Sequence, residues 1–194
     1  MEEAMVWLQL HGAISESSRD LQLTSGGSVG WKKPPLSFIK CNVGVSWSEV
    51  SKTCGAAWIV RDSAGTTLVH SRRSFSGVTT SLQADLIALS WSAEAMVDLK
   101  FRNVIFESFS DKFADLSRNP LSHPPSYHAI HSIIRLIHSL PGSNLHFVAN
   151  TSNMAASRIA QSVTDDQCLC LQSYVARNGP RWLTAVLSEE AAAA

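Results

Sequence analysis

The residues of this chain that could do chemistry are few and spread out. His128, His131, Arg135 and His138 recur at spacings of three and four, which on a helix places them along one side. Such a stripe could face phosphate or hold a metal through its imidazoles. The plainer reading is the solvated side of an amphipathic helix whose other side carries Ile130, Ile133, Ile134 and Ile137. Arg72 and Arg73 could touch a backbone phosphate, although two arginines alone read first as charges on a strand edge that discourage strand-to-strand pairing. Cys168 and Cys170 are separated by one residue and Cys41 and Cys54 by twelve, so no pair has the spacing of a zinc knuckle, and all four are expected to be small core residues. The six tryptophans invite a base-stacking role, but Trp58 and Trp91 fall within apolar segments and are expected in the core, while Trp31 and Trp182 flank the domain and are expected to clamp its ends.

Composition narrows the partners. The chain has 194 residues, 16 basic and 16 acidic, with 45% hydrophobic and 16% charged, a profile of a folded domain rather than a disordered one. Zero net charge argues against a strong sequence-independent grip on nucleic acid, which needs an excess of Lys and Arg, and favours self-association instead. No apolar run reaches the roughly 18 residues a membrane span needs. Met1-Glu2-Glu3 is acidic where a secretory leader is basic. The expected setting is intracellular and reducing, and the absence of a Lys/Arg cluster leaves cytoplasm and nucleus equally open.

Three strands, four helices and two further strands must position these residues. A short apolar stretch over 4–10 reads as a weak helix, followed by the flexible Thr24-Ser25-Gly26-Gly27-Ser28; residues 1–30 are thus expected to be a tail and linker. Trp31-Lys32-Lys33-Pro34-Pro35 marks a domain edge, because two prolines bar both helix and central strand. Residues 38–47 alternate, with Ile39, Cys41, Val43, Val45 and Trp47 on one parity; 55–62 and 66–75 form two more strands around the turn Ser63-Ala64-Gly65. Thr80-Ser81-Leu82-Gln83 has the form of a capping box, and Leu82, Leu86, Leu89, Ala93 and Met96 mark one face of a helix to about residue 99. Then come a strand over 103–106, a short helix over 110–116 ended by Asn119-Pro120, a helix opened by Pro124-Pro125, a strand over 144–149 and a helix over 154–163. Residues 184–194 read as a frayed tail. The order predicts an α/β domain over 31–183 with a five-stranded mixed sheet: strands one to three an antiparallel meander, strands four and five parallel to the first, helices on the faces.

With these residues, that order resembles the type-1 ribonuclease H fold, and most of all the plant reverse-transcriptase-like domains derived from non-LTR retroelements. Those domains lead in with Trp-x-x-Pro-Pro and open on Lys-Cys-Asn-x-Asp-Gly-Ser-Trp; here the strand reads Lys40-Cys41-Asn42-Val43-Gly44-Val45-Ser46-Trp47. Their helix motif Ala-Glu-x-x-Ala-Leu-x-Trp-Ala-x-Glu appears as 84–94, with Asp85 in the place of the first Glu, and Val-Ile-Phe-Glu-Ser-Asp-Ser appears as 104–110, with Phe109 in the place of Asp. Asn-x-x-Ala-Asp-x-Ile-Ala appears as 153–160, with Ser157 in the place of Asp, and Tyr174 and Gly179-Pro180-Arg181-Trp182-Leu183 complete the likeness.

The resemblance implies two-metal hydrolysis of the RNA strand of an RNA–DNA hybrid, with Mg²⁺ held by four carboxylates. Carried over residue by residue, the set is Gly44, Asp85, Phe109 and Ser157, which leaves Asp85 as the surviving catalytic carboxylate. One carboxylate cannot hold two divalent cations, so no cofactor is expected and the nuclease is expected to be degenerate. A rebuilt one-metal site would draw on Asp85, Glu107 and Asp111. Asp85 also has a bland role, since a carboxylate at a helix start suits the dipole. Three functions follow: a catalytically silent domain that binds a hybrid or other nucleic acid weakly through Arg72, Arg73, His131 and Arg135; a protein-interaction module; or an active nuclease with the rebuilt site.

Overall fold

The computed structural model describes residues 30–118, 124–165 and 173–194. The expected helix at 4–10, the linker, Asn119-Pro120, Cys168 and Cys170 lie outside them.

Strand β1 (Ile39–Ser48) pairs antiparallel with β2 (Thr53–Arg61), which pairs antiparallel with β3 (Thr67–Ser76). Helix α1 (Ser81–Asp98) carries the chain to β4 (Val104–Ser108), parallel to β1. Helices α2 (Asp111–Arg118) and α3 (Pro124–Ser139) lead to β5 (Asn144–Phe147), parallel to β4. A 3₁₀ turn (Asn150–Ser152) precedes α4 (Met154–Asp165). The meander and the two parallel additions are as the pattern predicts. The strand count is not: the described residues form a six-stranded sheet in the order β5-β4-β1-β2-β3-β6, where β6 (Tyr174–Arg177) runs antiparallel to β3.

Four residues are too few to announce a strand by alternation, and β6 is held largely by side chains of β3. The Ser71 hydroxyl donates to the Tyr174 carbonyl at 2.5 Å, and His70 donates through Nδ1 to the Asn178 carbonyl at 2.5 Å. Burial and the Arg72 charge hold His70 below its ordinary pKa, although its bond to Asn178 opposes them.

Parity divides the sheet into two faces. Cys41, Val43, Cys54, Trp58 and Val60 meet α1 and α3 in the larger core, where Trp58 and Trp91 sit 6.0 Å apart between ring centroids. Ala57 and Ile59 face the other way, onto Ala155, Ala156, Ile159 and Ala160 of α4. The predicted face of α1 is rotated: Ala84, Ala88, Leu89, Ala93 and Met96 are buried, while Leu82 and Leu86 are only half-buried. Small residues at 84 and 88 let the helix axis lie close to the sheet. The cap is as predicted at Thr80, whose side chain accepts from the Gln83 N–H at 3.1 Å, but Gln83 reaches back to the Thr79 N–H at 2.8 Å.

The expected tail is folded. After a 3₁₀ turn (Arg181–Leu183), residues Thr184–Ala193 form α5, with Leu183, Val186 and Leu187 against the α4 side of the sheet. Charge adds to that apolar contact. Arg61 is wholly buried, and its Nη1 donates to Glu190 Oε2 at 2.5 Å. Trp31 does clamp an end, lying 2% exposed with the Arg61 guanidinium 3.6 Å from its ring centroid. Trp182 does not; it is 57% exposed, and Leu183 takes the buried place beside it.

Glu190→Ala would leave Arg61 buried without its counter-charge, a change of about 3 kcal/mol for broken buried pairs. Urea unfolding should register a loss of that order. A loss below about 1 kcal/mol would mean that the Trp31 ring and Asn42 suffice to hold Arg61.

Candidate active site

The four family positions come from three elements and one strand end. Gly44 lies in β1 on the face that α4 covers. A Cβ built there would fall inside contact distance of the Ala156 carbonyl and 2.7 Å from the Ser157 nitrogen. Ser157 is the fourth residue of α4, and its hydroxyl donates to Asn150 Oδ1 at 3.1 Å. Phe109 follows directly on β4, 45% exposed.

Asp85 projects from α1, on the opposite side of the sheet from α4. The Ser110 hydroxyl donates to its Oδ2 at 2.6 Å and itself accepts from the Phe113 N–H at 3.1 Å, so the carboxylate braces the start of α2. Asp85 is the fifth residue of α1, past the first turn, so the dipole benefit expected of it is small. Burial dominates instead and pushes its pKa up to about 6, against the opposing effects of Ser110 and the Lys112 charge. Burial, with Asp85 nearby, pushes the Cys54 thiol up to about 12, and burial raises Cys41 further still.

The carboxylates of the rebuilt set do not meet. Glu107 is in register with Asn42, on the α4 side, where it pairs with Lys40 Nζ at 2.7 Å and accepts from Asn42 Nδ2 at 2.8 Å. Asp111 is exposed at the first position of α2. Among the described residues, no three His, Cys, Asp or Glu side chains are grouped to hold a metal ion.

The basic candidates are also separated. Arg72 and Arg73 are neighbours in a strand and therefore point to opposite faces. Arg72 turns toward α4 and donates through Nη1 to Ser162 Oγ at 2.8 Å, with its guanidinium 5.6 Å from the Tyr174 ring. Arg73 lies on the α1 side, exposed, 5.0 Å from the Phe75 ring. The reading of Arg72 as an edge charge is corrected by β6, which pairs with Val69–Arg72. On α3, His131 is half-buried with its ring 4.3 Å from Tyr127, while His128, Arg135 and His138 are exposed.

Sequence reasoning missed Lys40, Asn42 and Arg61, and set Glu107 in a metal site rather than with them. All four are buried around Asn42, whose Oδ1 accepts from Trp31 Nε1 and Arg61 Nη2 at 2.9 Å each and whose Nδ2 donates to Glu107, the partner of Lys40. The signal was available: a strand covered on both faces reads as a continuous apolar run, so Lys and Asn within β1 call for buried partners.

A family model described as reverse transcriptase-like matches residues 42–163. The chain belongs to that family. No curated protein matches the sequence. Solved structures similar to this reverse transcriptase-like chain include RNase H1 from the halophilic archaeon Halobacterium salinarum, at 16% identity over 67% of this chain and 99% of that one, with a TM-score of 0.56. The N-terminal RNase H domain of a Mycobacterium tuberculosis protein, solved as a fusion with maltose binding protein, is 17% identical over 66% and 93%, at 0.54. LC9-RNase H1, a type 1 RNase H with the type 2 active-site motif, is 14% identical over 84% and 87%, at 0.57. At these identities the likeness establishes the RNase H-like fold.

The raised pKa of Asp85 sets a pH dependence. Between its unfolded value near 3.8 and about 6, the folded chain binds more protons at this site than the unfolded one, so the site's contribution to stability falls as pH rises through that window. Asp85→Asn should therefore gain stability relative to wild type from pH 4 to pH 7, by no more than about 3 kcal/mol. Parallel denaturant curves at the two pH values that show no such divergence would mean the carboxylate is better solvated than its surroundings indicate.

Proposed function

We propose that this chain is an RNase H-like domain of retroelement descent that keeps the fold, has lost hybrid hydrolysis and retains at most a weak hold on nucleic acid. The observation that carries the proposal is Gly44 lying against the Ala156 carbonyl. The strand that should offer the first carboxylate offers no side chain, and no room for one. The remaining positions supply a phenyl ring, a serine hydroxyl bonded to Asn150, and a carboxylate engaged by Ser110. Mg²⁺ prefers an octahedral set of hard oxygen ligands, and this donor set does not fit two such ions.

Weak binding, rather than strong, follows from charge. The chain carries no net charge, and Arg72 turns inward to Ser162. Of the basic candidates Arg73 and Arg135 are exposed, and two such phosphate contacts would release about two counterions and give a log–log salt slope of about −2. Neutrality equally favours the reading as a protein-interaction module. Among the described residues Cys41 and Cys54 are free thiols, which suits an intracellular location.

The test is an RNA–DNA hybrid incubated with the whole chain in Mg²⁺ and in Mn²⁺, with binding followed across salt concentrations. No cleavage and a shallow salt slope are expected. Metal-dependent cleavage that disappears in Asp85→Asn would overturn the proposal in favour of a rebuilt site. No binding even at low salt would replace the nucleic-acid role with the protein-interaction one.

A further inference from the structure

We infer that α4 has settled into the space where the strand-one carboxylate of the family stands, so that putting the missing carboxylates back will not rebuild a metal site in this chain. The inference rests on the proposed loss of hydrolysis and goes past it: the loss is built into the packing of the backbone, beyond the identity of four side chains.

Two glycines make the seam. A Cβ at Gly44 would overlap the carbonyl group of Ala156, and one at Gly55, two registers along on the neighbouring strand, would overlap the Ala160 carbonyl and lie 2.9 Å from Val163 Cβ. Both obstacles are one helical turn apart on α4, and the nearest obstructing atom in each case is backbone. A backbone atom cannot rotate away as a side chain can. Any residue other than glycine at 44 therefore requires α4 to move bodily away from the sheet.

Hydrogen bonds oppose that movement at both ends of the helix. At its start, buried Asn153 donates through Nδ2 to the Val43 carbonyl at 2.6 Å, one residue before Gly44. Towards its end, Ser46 and Thr164 share a hydroxyl bond at 2.7 Å, and Arg72 donates to Ser162. Between them Ala155, Ala156, Ile159 and Ala160 are fully buried against the sheet. Phe109 and Ser157 are different. Phe109 is substantially exposed, and Ser157 is half-buried with its hydroxyl turned to exposed Asn150, so neither position is closed off by helix backbone as Gly44 is.

The test uses the full chain in four forms: Phe109→Asp with Ser157→Asp, Gly44→Ala alone, Gly44→Asp alone, and all three aspartates together with Asp85→Glu. Thermal unfolding and a Mn²⁺ titration are read on each. The double variant is expected to melt within about 3 °C of wild type. Gly44→Ala, which adds a single methyl against backbone, is expected to melt about 4–12 °C lower, the shift for an overpacking cost of about 2–3 kcal/mol in a chain of this size. Gly44→Asp is expected to fall at least as far. The fourfold variant is expected to show no saturable Mn²⁺ binding at millimolar metal, whether or not it remains folded.

A melting point for Gly44→Ala within about 2 °C of wild type overturns the inference, because it shows that α4 yields freely. Saturable Mn²⁺ binding by the fourfold variant, with wild type silent, overturns it as well while leaving the loss of hydrolysis intact. Cleavage by wild type sinks the underlying reading instead, so the two failures are distinct.

Discussion

Arg61 is buried in the sheet of this protein, and much of the surrounding architecture keeps its charge from standing alone. A guanidinium taken out of water is tolerated only where opposite charge, hydrogen-bond acceptors or an aromatic face replace its hydration. Glu190 supplies the charge, Asn42 an acceptor and Trp31 the ring. Each partner comes from a different part of the chain: the helix at the far end, the central strand, and the segment leading into it. One buried cation thereby fixes where the chain enters the domain and where its last helix docks. Lys40 and Glu107 extend the same logic to β4, since Asn42 also donates to Glu107. Burial pulls the Arg61 pKa down, and the charges of Glu190 and Glu107 oppose it, as expected of a cation that stays ionised because its surroundings were arranged for it.

This network explains why the two faces of one sheet are built so differently. The α1 face holds large apolar residues, Trp58, Phe106, Leu89 and Met96, and a ring contact between Trp58 and Trp91. The α4 face combines glycine and alanine with buried charge. Small residues bring the α4 backbone onto the strands, and the ionic strip lies on the same side of the sheet. Close approach and apolar bulk are alternatives at a given spot: where Gly44 and Gly55 admit the α4 backbone, there is no volume left for a side chain, charged or not.

How much of this was legible in the residues follows from the same contrast. Alternation in β1 to β3, the period change into α1 and the isoleucine face of α3 each encode a local geometry, and each was readable because burial on the α1 face is apolar and periodic. The rotation of the α1 face was not, since alanine packs as deeply as leucine yet carries a weaker hydrophobic signal. β6 depends on hydroxyl and imidazole bonds from Ser71 and His70, contacts between residues more than a hundred positions apart, which no local pattern announces. Glu190 stands just before a run of four alanines that reads as a tail, and its distant partner, Arg61, together with the contacts of Val186 and Leu187, makes that segment a docked helix. For the candidate site, the identities at 44, 85, 109 and 157 were plain in the motifs. What they could not reveal was that the sheet separates Asp85 from Glu107, or that Arg72 and Arg73 part to opposite faces.

That separation bears on how a surviving family residue should be weighed. Asp85 aligns with a family carboxylate, and alignment alone invites a catalytic role. Its contacts show a structural role beside that one. Burial dominates around Asp85 and raises its affinity for a proton. Its principal bond is to Ser110, which in turn caps α2 through the Phe113 N–H. The carboxylate therefore joins two helices through one hydroxyl, a structural task that persists whether or not hydrolysis does. A fold can outlast its chemistry in this way because the residues that hold elements together and those that act on substrate are selected by different physics. If hydrolysis is lost, as we propose for this chain, a position such as Asp85 remains for the sake of the first requirement, while one such as Gly44 is free to be given over to packing.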